Sequence, residues 1–304
     1  MAATSNILVP FDFGPEAEAA FTYAIAIAPI FDAEVHILNI MEEESPLLKR
    51  ILTDQQREQM RRGAKEHLQD FIKKQADLKG IPVTPHISKG KVYKVIVKTA
   101  KKINSRLIVM GRTDSSDMVK NFTGTNTMHI VRESEIPVIT VKRVAGSSDC
   151  RHILLPLDLT KQTLQKVSRV IKLAEKINAR ITIASILSVD SISMEIKFST
   201  RLHEIREIFN SFGIHCEYRV IKDVNKKIYE LLNDFAKEIE ANLMVIMTQQ
   251  ELNFTEFFIG STAQELINRS DIPVLSLIPV SDGIEIMPDE FSKALIDPIN
   301  ILKH

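Results

Sequence analysis

Short apolar runs alternate with stretches of helical period along this chain. Asn6–Phe11 is an apolar run that ends around Pro10, the pattern of a strand buried on both faces. Gly14-Pro15-Glu16 breaks the run and opens a helix, with proline and an acid in the first turn. Ala17, Ala20, Phe21, Ala24 and Ala28 recur at helical spacing and form a small-residue face able to lie close to a sheet. Val35–Ile40 reads as a second strand. The charged segment Glu42–Arg62 leads into a helix ending near Gly80, and Val83–Ile87 is a short third strand. Tyr93–Asn104 is a helix with Val92, Ile96 and Ala100 on one face, and Leu107–Met110 is a strongly apolar fourth strand. A polar loop, Gly111–Thr123, precedes a helix from Gly124, and Pro137–Val141 is the fifth strand. Alternation of this kind predicts an α/β fold with parallel strands, right-handed crossovers and helices on both faces.

The pattern then repeats. ILVPFDF at residues 7–13 returns as ILLPLDL at 153–159, and GTNTMHIVRESEIPV at 124–138 returns as GSTAQELINRSDIPV at 260–274. The offset is 146 at the openings (7 to 153) and 136 at the closings (124 to 260), so the halves differ by small insertions and deletions. The second set of strands is Ile153–Leu157, Ile181–Ile186, Glu217–Ile221, Leu243–Met247 and Val274–Leu277. A unit this long, present twice, predicts two domains rather than a solenoid. The expected bounds are 1–143 and 151–280. Arg143–Arg151 serves as linker, and 281–304 is an irregular extension with a short helix near Glu290–Leu295.

Composition narrows the functions. Lys+Arg and Asp+Glu both number 39, so no bulk charge recruits nucleic acid or an anionic membrane. The opening MAATSNILVPFD lacks the basic and apolar regions of a signal peptide, and no apolar run is long enough for a bilayer span. Two cysteines, Cys150 and Cys216, suit a reducing compartment with no disulfide between them, and the expected location is the cytoplasm.

In an open parallel sheet, ligands bind at the carboxyl ends of the strands where strand order reverses. Four features of the first half converge there: Asp12 after strand one, Ile40 at the end of strand two, Gly111 after strand four, and Gly124-Thr125 opening the last helix. Glycine with a hydroxyl residue at a helix start offers free N–H groups and a positive dipole end to an anion. Each feature also has a plain reading: a turn glycine, an Asp that caps a helix, a Gly-Thr cap. Their joint spacing carries the weight. The eight histidines are scattered. His203-Glu204 lacks a second His four residues on and reads as a solvated face, His129 as a surface or capping residue, and Gln55–Arg62 as an exposed charged face. Phosphate-loop, dinucleotide and nucleophile-elbow motifs are absent from the sequence.

The joint spacing resembles the universal stress proteins in tandem-domain form. Nucleotide-binding members carry Gly, two residues, Gly, nine residues, then Gly with Ser or Thr. Here Gly111, Arg112-Thr113, Asp114, nine residues and Gly124-Thr125 match that spacing, with Asp114 in place of the second glycine. In the second half the positions are Met247, Gln250 and Gly260-Ser261. The resemblance implies two flavodoxin-like, adenine nucleotide alpha hydrolase-like domains, each a five-stranded parallel sheet of order 3-2-1-4-5. It also implies an intramolecular pseudo-dimer through the last strands, with a homodimer as a further option. It implies an adenine nucleotide, ATP, on domain one. Pro10, Asp12 and Ile40 would serve base and ribose, with Met110 flanking. Gly111, Arg112, Gly124, Thr125 and Thr127 would serve the phosphates. Asp114 is repulsive to a triphosphate unless Mg²⁺ bridges them. In domain two Asp158, Ile186, Gly260, Ser261 and Thr262 form a degenerate counterpart, and the 42–49 insertion is either a lid or a plain loop. The first expectation is a stress-response binding protein. The alternatives are a nucleotide-independent scaffold and, last, a weak ATPase with Asp114 as its one candidate base.

Overall fold

The computed structural model describes residues 5–42, 52–75, 78, 80–112, 125–142, 150–159, 163–188, 191–223, 225–248 and 260–277. The expectations for Asp114, Gly124, the loop 113–123, the insertion 43–49, most of the linker and the extension after 279 lie outside these residues. The chain divides into two compact units between Ser148 and Asp149.

The first unit runs β1 (Ser5–Pro10), α1 (Pro15–Phe31), β2 (Ala33–Met41), α2 (Asp54–Lys74), β3 (Val83–Lys89), α3 (Val92–Lys102), β4 (Ser105–Gly111), α4 (Thr125–Glu133) and β5 (Val138–Val141). Its strands are parallel, as the alternation predicts, and run in the order β3-β2-β1-β4-β5 that the resemblance implies. Ala17, Ala20, Phe21, Ala24 and Ala28 are all buried, so the small face of α1 is the one laid on the sheet. Gly14 caps α1 and Pro15 takes the position where a missing N–H costs nothing. On α3 the buried face is Tyr93, Ile96 and Ala100, one position on from the expected Val92, which is half-buried. Only Leu68 of α2 is fully buried, and Gln55–Arg62 is the exposed charged face the sequence predicts. The start of α2 is closed by a capping box: Gln56 N donates to Thr53 Oγ1 (3.2 Å) and Thr53 N to Gln56 Oε1 (2.9 Å).

The second unit runs β6 (His152–Pro156), α5 (Thr163–Ile177), β7 (Arg180–Leu187), α6 (Ile192–Ser211), β8 (Cys216–Lys222), α7 (Ile228–Glu238), β9 (Leu243–Met247), α8 (Ser261–Arg269) and β10 (Val274–Leu277). Its strands are parallel in the order β8-β7-β6-β9-β10. The repeat extends to the backbone. Non-glycine residues in the left-handed region recur at matching places: Phe13 and Leu159 (φ 66° and 57°), Asp32 and Asn178 (49° and 51°), Asn104 and Glu240 (51° and 53°). The last two pairs end helices or the turns after them, where the left-handed conformation satisfies the final carbonyls. Cys150 and Cys216 are both buried, and burial pushes the Cys216 thiol up to about 12.

Candidate functional site

In the first unit β1 lies between β2 and β4, so strand order reverses at its carboxyl end. Two bonds fix that end. Phe11 N donates to Leu38 O (2.8 Å), and Asn39 Nδ2 donates to Phe11 O (2.8 Å). Asp12 follows, exposed, with Oδ1 accepting from Gly14 N at 2.9 Å. One oxygen therefore closes an Asx-type turn ahead of α1, whose cap is Gly14 and not Asp12 as the plain reading has it, while the side chain stays open to solvent. Phe13 is at positive φ, and its ring lies 5.3 Å from Phe11 and 5.9 Å from His67. A phenylalanine in this conformation is strained, and strain of this kind collects beside binding sites.

Pro10 and Ile40 are half-buried at the same edge, and Met110 and Arg112 are buried beside Gly111. Gly111 has a reason of its own. A Cβ there would collide with the backbone carbonyl of Glu16 and stand 2.8 Å from the Glu16 Cβ. Glycine is therefore demanded by the close approach of α1, whatever a ligand requires. Thr125 opens α4 and Thr127 is half-buried in its first turn. Pro10, Asp12, Ile40, Met110 and Gly111 are thus together at the strand ends. The loop that would complete the site, with Asp114 and Gly124, falls outside the described residues.

The second unit repeats the junction with different residues. Leu157 N donates to Ala184 O (2.9 Å), and Ser185 Oγ donates to Leu157 O (2.6 Å). Ser185 occupies the repeat position of Asn39, so two residue types make the same cross-strand bond. At these strand ends is a cavity of about 210 Å³, lined among others by Pro156, Asp158, Lys166, Ile186, Met247 and Thr262. Three candidate residues, Asp158, Ile186 and Thr262, are thus brought around one space. Gly260 caps α8 without a side-chain bond, and Gln264 N donates to Gly260 O (3.0 Å). Met247 stands at the repeat position of Gly111, so a side chain fills the place where the first unit admits helix backbone.

Lys166 was not among the residues singled out from the sequence. It is buried at 8% exposure on α5, and its Nζ donates to Pro156 O at 3.3 Å. Burial pulls its pKa below the ordinary value, and the Asp158 carboxylate works against that shift. The signal was available: an offset of 146 puts Lys166 at the position of Ala20, which has no exposure at all. Read alone, a lysine in TLQKVSRV looks solvated.

Elsewhere, His129 stacks on Tyr93 at 4.7 Å and lies 2.7 Å from Arg132 Nη2, so it packs α4 against α3. His203 pairs with Arg206 (2.9 Å) on an exposed face, as expected. Among the described residues, no group of three or more His, Cys, Asp or Glu could hold a metal ion. No described helix is long and apolar enough to cross a membrane.

Residues 4–142 and 217–277 match the profile of the universal stress protein family. The chain belongs to that family. Two universal stress proteins of Methanocaldococcus jannaschii are each 25% identical, over 148 and 154 residues, covering 45% of this chain and 82% and 94% of the relatives. A universal stress protein of Archaeoglobus fulgidus has a TM-score of 0.72 at 18% identity, covering 91% of this chain and 100% of its own; at that identity the likeness concerns the fold. The universal stress protein match skips 143–216, the stretch that holds Asp158, Lys166 and Ser185.

Proposed function

We propose that this universal stress protein is a stress-response binding protein of the cytoplasm that takes an adenine nucleotide, ATP, on its first unit. The observation that supports the reading is the junction at the end of β1. Strand order reverses there, and Asp12, Ile40 and Met110 share that end with Gly111 and the start of α4. The second carboxylate oxygen of Asp12 would accept from a ribose hydroxyl or an adenine amine. Ile40 and Met110 would cover the base. The backbone at Gly124-Thr125 would take the phosphates, with Arg112 nearby and Mg²⁺, if present, shared with Asp114. The second unit would be the poorer nucleotide site, because Met247 and Gln250 stand where the family pattern has its two loop glycines. Binding rather than turnover fits a site whose one candidate base is Asp114.

The test is nucleotide carried through purification. The protein is incubated with ATP, desalted and denatured, and the released nucleotide is measured by chromatography. Near-stoichiometric adenine nucleotide is expected, falling at least about tenfold in Gly124→Asp, where a carboxylate faces the phosphates. Retention by Gly124→Asp at the unmodified level would move the site elsewhere.

A further inference from the structure

We propose that the cavity of the second unit binds a small, mostly apolar monocarboxylate, with the ligand's charge on Lys166 and the amino end of α8. This holds or fails independently of nucleotide binding on the first unit.

The walls are apolar: Leu157, Ile186, Ile228, Leu232, Ile246 and Leu266 face the space. Into this surround the chain puts an ammonium where the other unit puts Ala20. The fold does not need a lysine there, because the same helix packs on the same sheet without one. An ammonium has three donors. Among the described residues, Lys166 makes one hydrogen bond, a long one to Pro156 O at 3.3 Å. A buried cation with unused donors is costly unless an acceptor arrives to take them.

The second pole is the start of α8. Among the described residues no side chain caps the helix at Gly260, its amino end carries the positive end of the helix dipole, and Thr262 of that turn lines the cavity. Against these two positive features stands one carboxylate, Asp158. A ligand amine would set a second cation beside Lys166, whereas a ligand carboxylate meets both donors. The space of about 210 Å³, below the ~300–1,000 Å³ of pockets for drug-sized ligands, suits a short acid.

The experiment is calorimetry on the full chain with four probes of rising apolar size: acetate, butyrate, phenylacetate and 3-phenylpropionate. Phenylacetamide and phenethylamine serve as neutral and cationic matches. Phenylacetate or 3-phenylpropionate is expected to bind, with acetate weakest and both matched controls at least about tenfold weaker, the worth of a charge-assisted bond. Lys166→Met should weaken the acid at least about tenfold while a thermal melt shows the fold intact. Ala263→Leu, which leaves Lys166 in place and fills the cavity, should do the same. Saturating ATP should leave acid binding unchanged, which separates this site from the first. No saturable binding by any of the four acids would overturn the proposal. So would amide binding as tight as acid binding, or an unchanged affinity in folded Lys166→Met.

Discussion

Gly111 at the end of β4 and Glu16 in the first turn of α1 touch so closely that a Cβ on Gly111 would collide with the Glu16 carbonyl. In Gly111→Ala the helix must stand off or the strand end must shift. Overpacking of this kind costs about 1–3 kcal/mol. Chemical denaturation should show that loss, with no ligand present. An unchanged midpoint would mean that the contact is soft and that the glycine serves a ligand instead.

Ser185 and Asn39 make the same bond from equivalent places, each to the carbonyl that follows its unit's first strand. Ser185 is fully buried, so Ser185→Ala leaves the Leu157 carbonyl without that partner. A loss of about 1–3 kcal/mol is expected by denaturant titration, since an unsatisfied buried group carries its full desolvation cost.

Lys166 is held in the folded state with its pKa below the ordinary 10.5 by burial, opposed by Asp158. The unfolded chain therefore binds more protons between the folded value and 10.5, and this group's contribution to stability rises with pH across that window. Below it the lysine destabilises the fold by a constant amount. Lys166→Met should then be more stable than the parent at pH 7, by about 1–3 kcal/mol. The difference should shrink as pH climbs toward 10. A less stable Lys166→Met at pH 7 would show that the ammonium is well compensated.

His36 and His86 lie on neighbouring strands with Nδ1 and Nε2 2.8 Å apart and rings stacked at 5.1 Å. Burial lowers both pKa values from 6.5. The neighbouring charges are Glu34, which raises that of His36, and His36 and Lys102, which lower that of His86. Both lowered values mean that the pair's contribution is whole above pH 6.5 and is lost as pH falls below it. The unfolding midpoint should drop between pH 7 and pH 5. His86→Gln, which keeps a polar partner for His36, should flatten that slope. A slope unchanged by the substitution would assign the acid sensitivity elsewhere.

The sequence carried the architecture because its signals were local. Gly14-Pro15 opening α1, the alanine face, and the two copies of the β1 pattern each follow from spacing along the chain. The strand-end placement of Asp12, Ile40 and Gly111 followed from the same alternation. What was not legible were contacts between distant segments. The carbonyl of Glu16 against Gly111 is a meeting of a helix and a strand 95 residues apart (16 to 111). Nothing local in TLQKVSRV marks Lys166 as buried; only its repeat position on Ala20 does. The second unit has Met247 and Gln250 where the pattern has its loop glycines, yet Asp158, Ile186 and Thr262 of its degenerate counterpart line one cavity. Loss of Gly111's equivalent to Met247 changes what that space can hold rather than closing it.

The most direct test of the central claim is a calorimetric titration of the full chain with ATP and Mg²⁺. One site per chain is expected, with affinity lost in Gly124→Asp and in Asp12→Ala, and kept in Lys166→Met. No heat at millimolar ATP in a protein that also carries no bound nucleotide would contradict it.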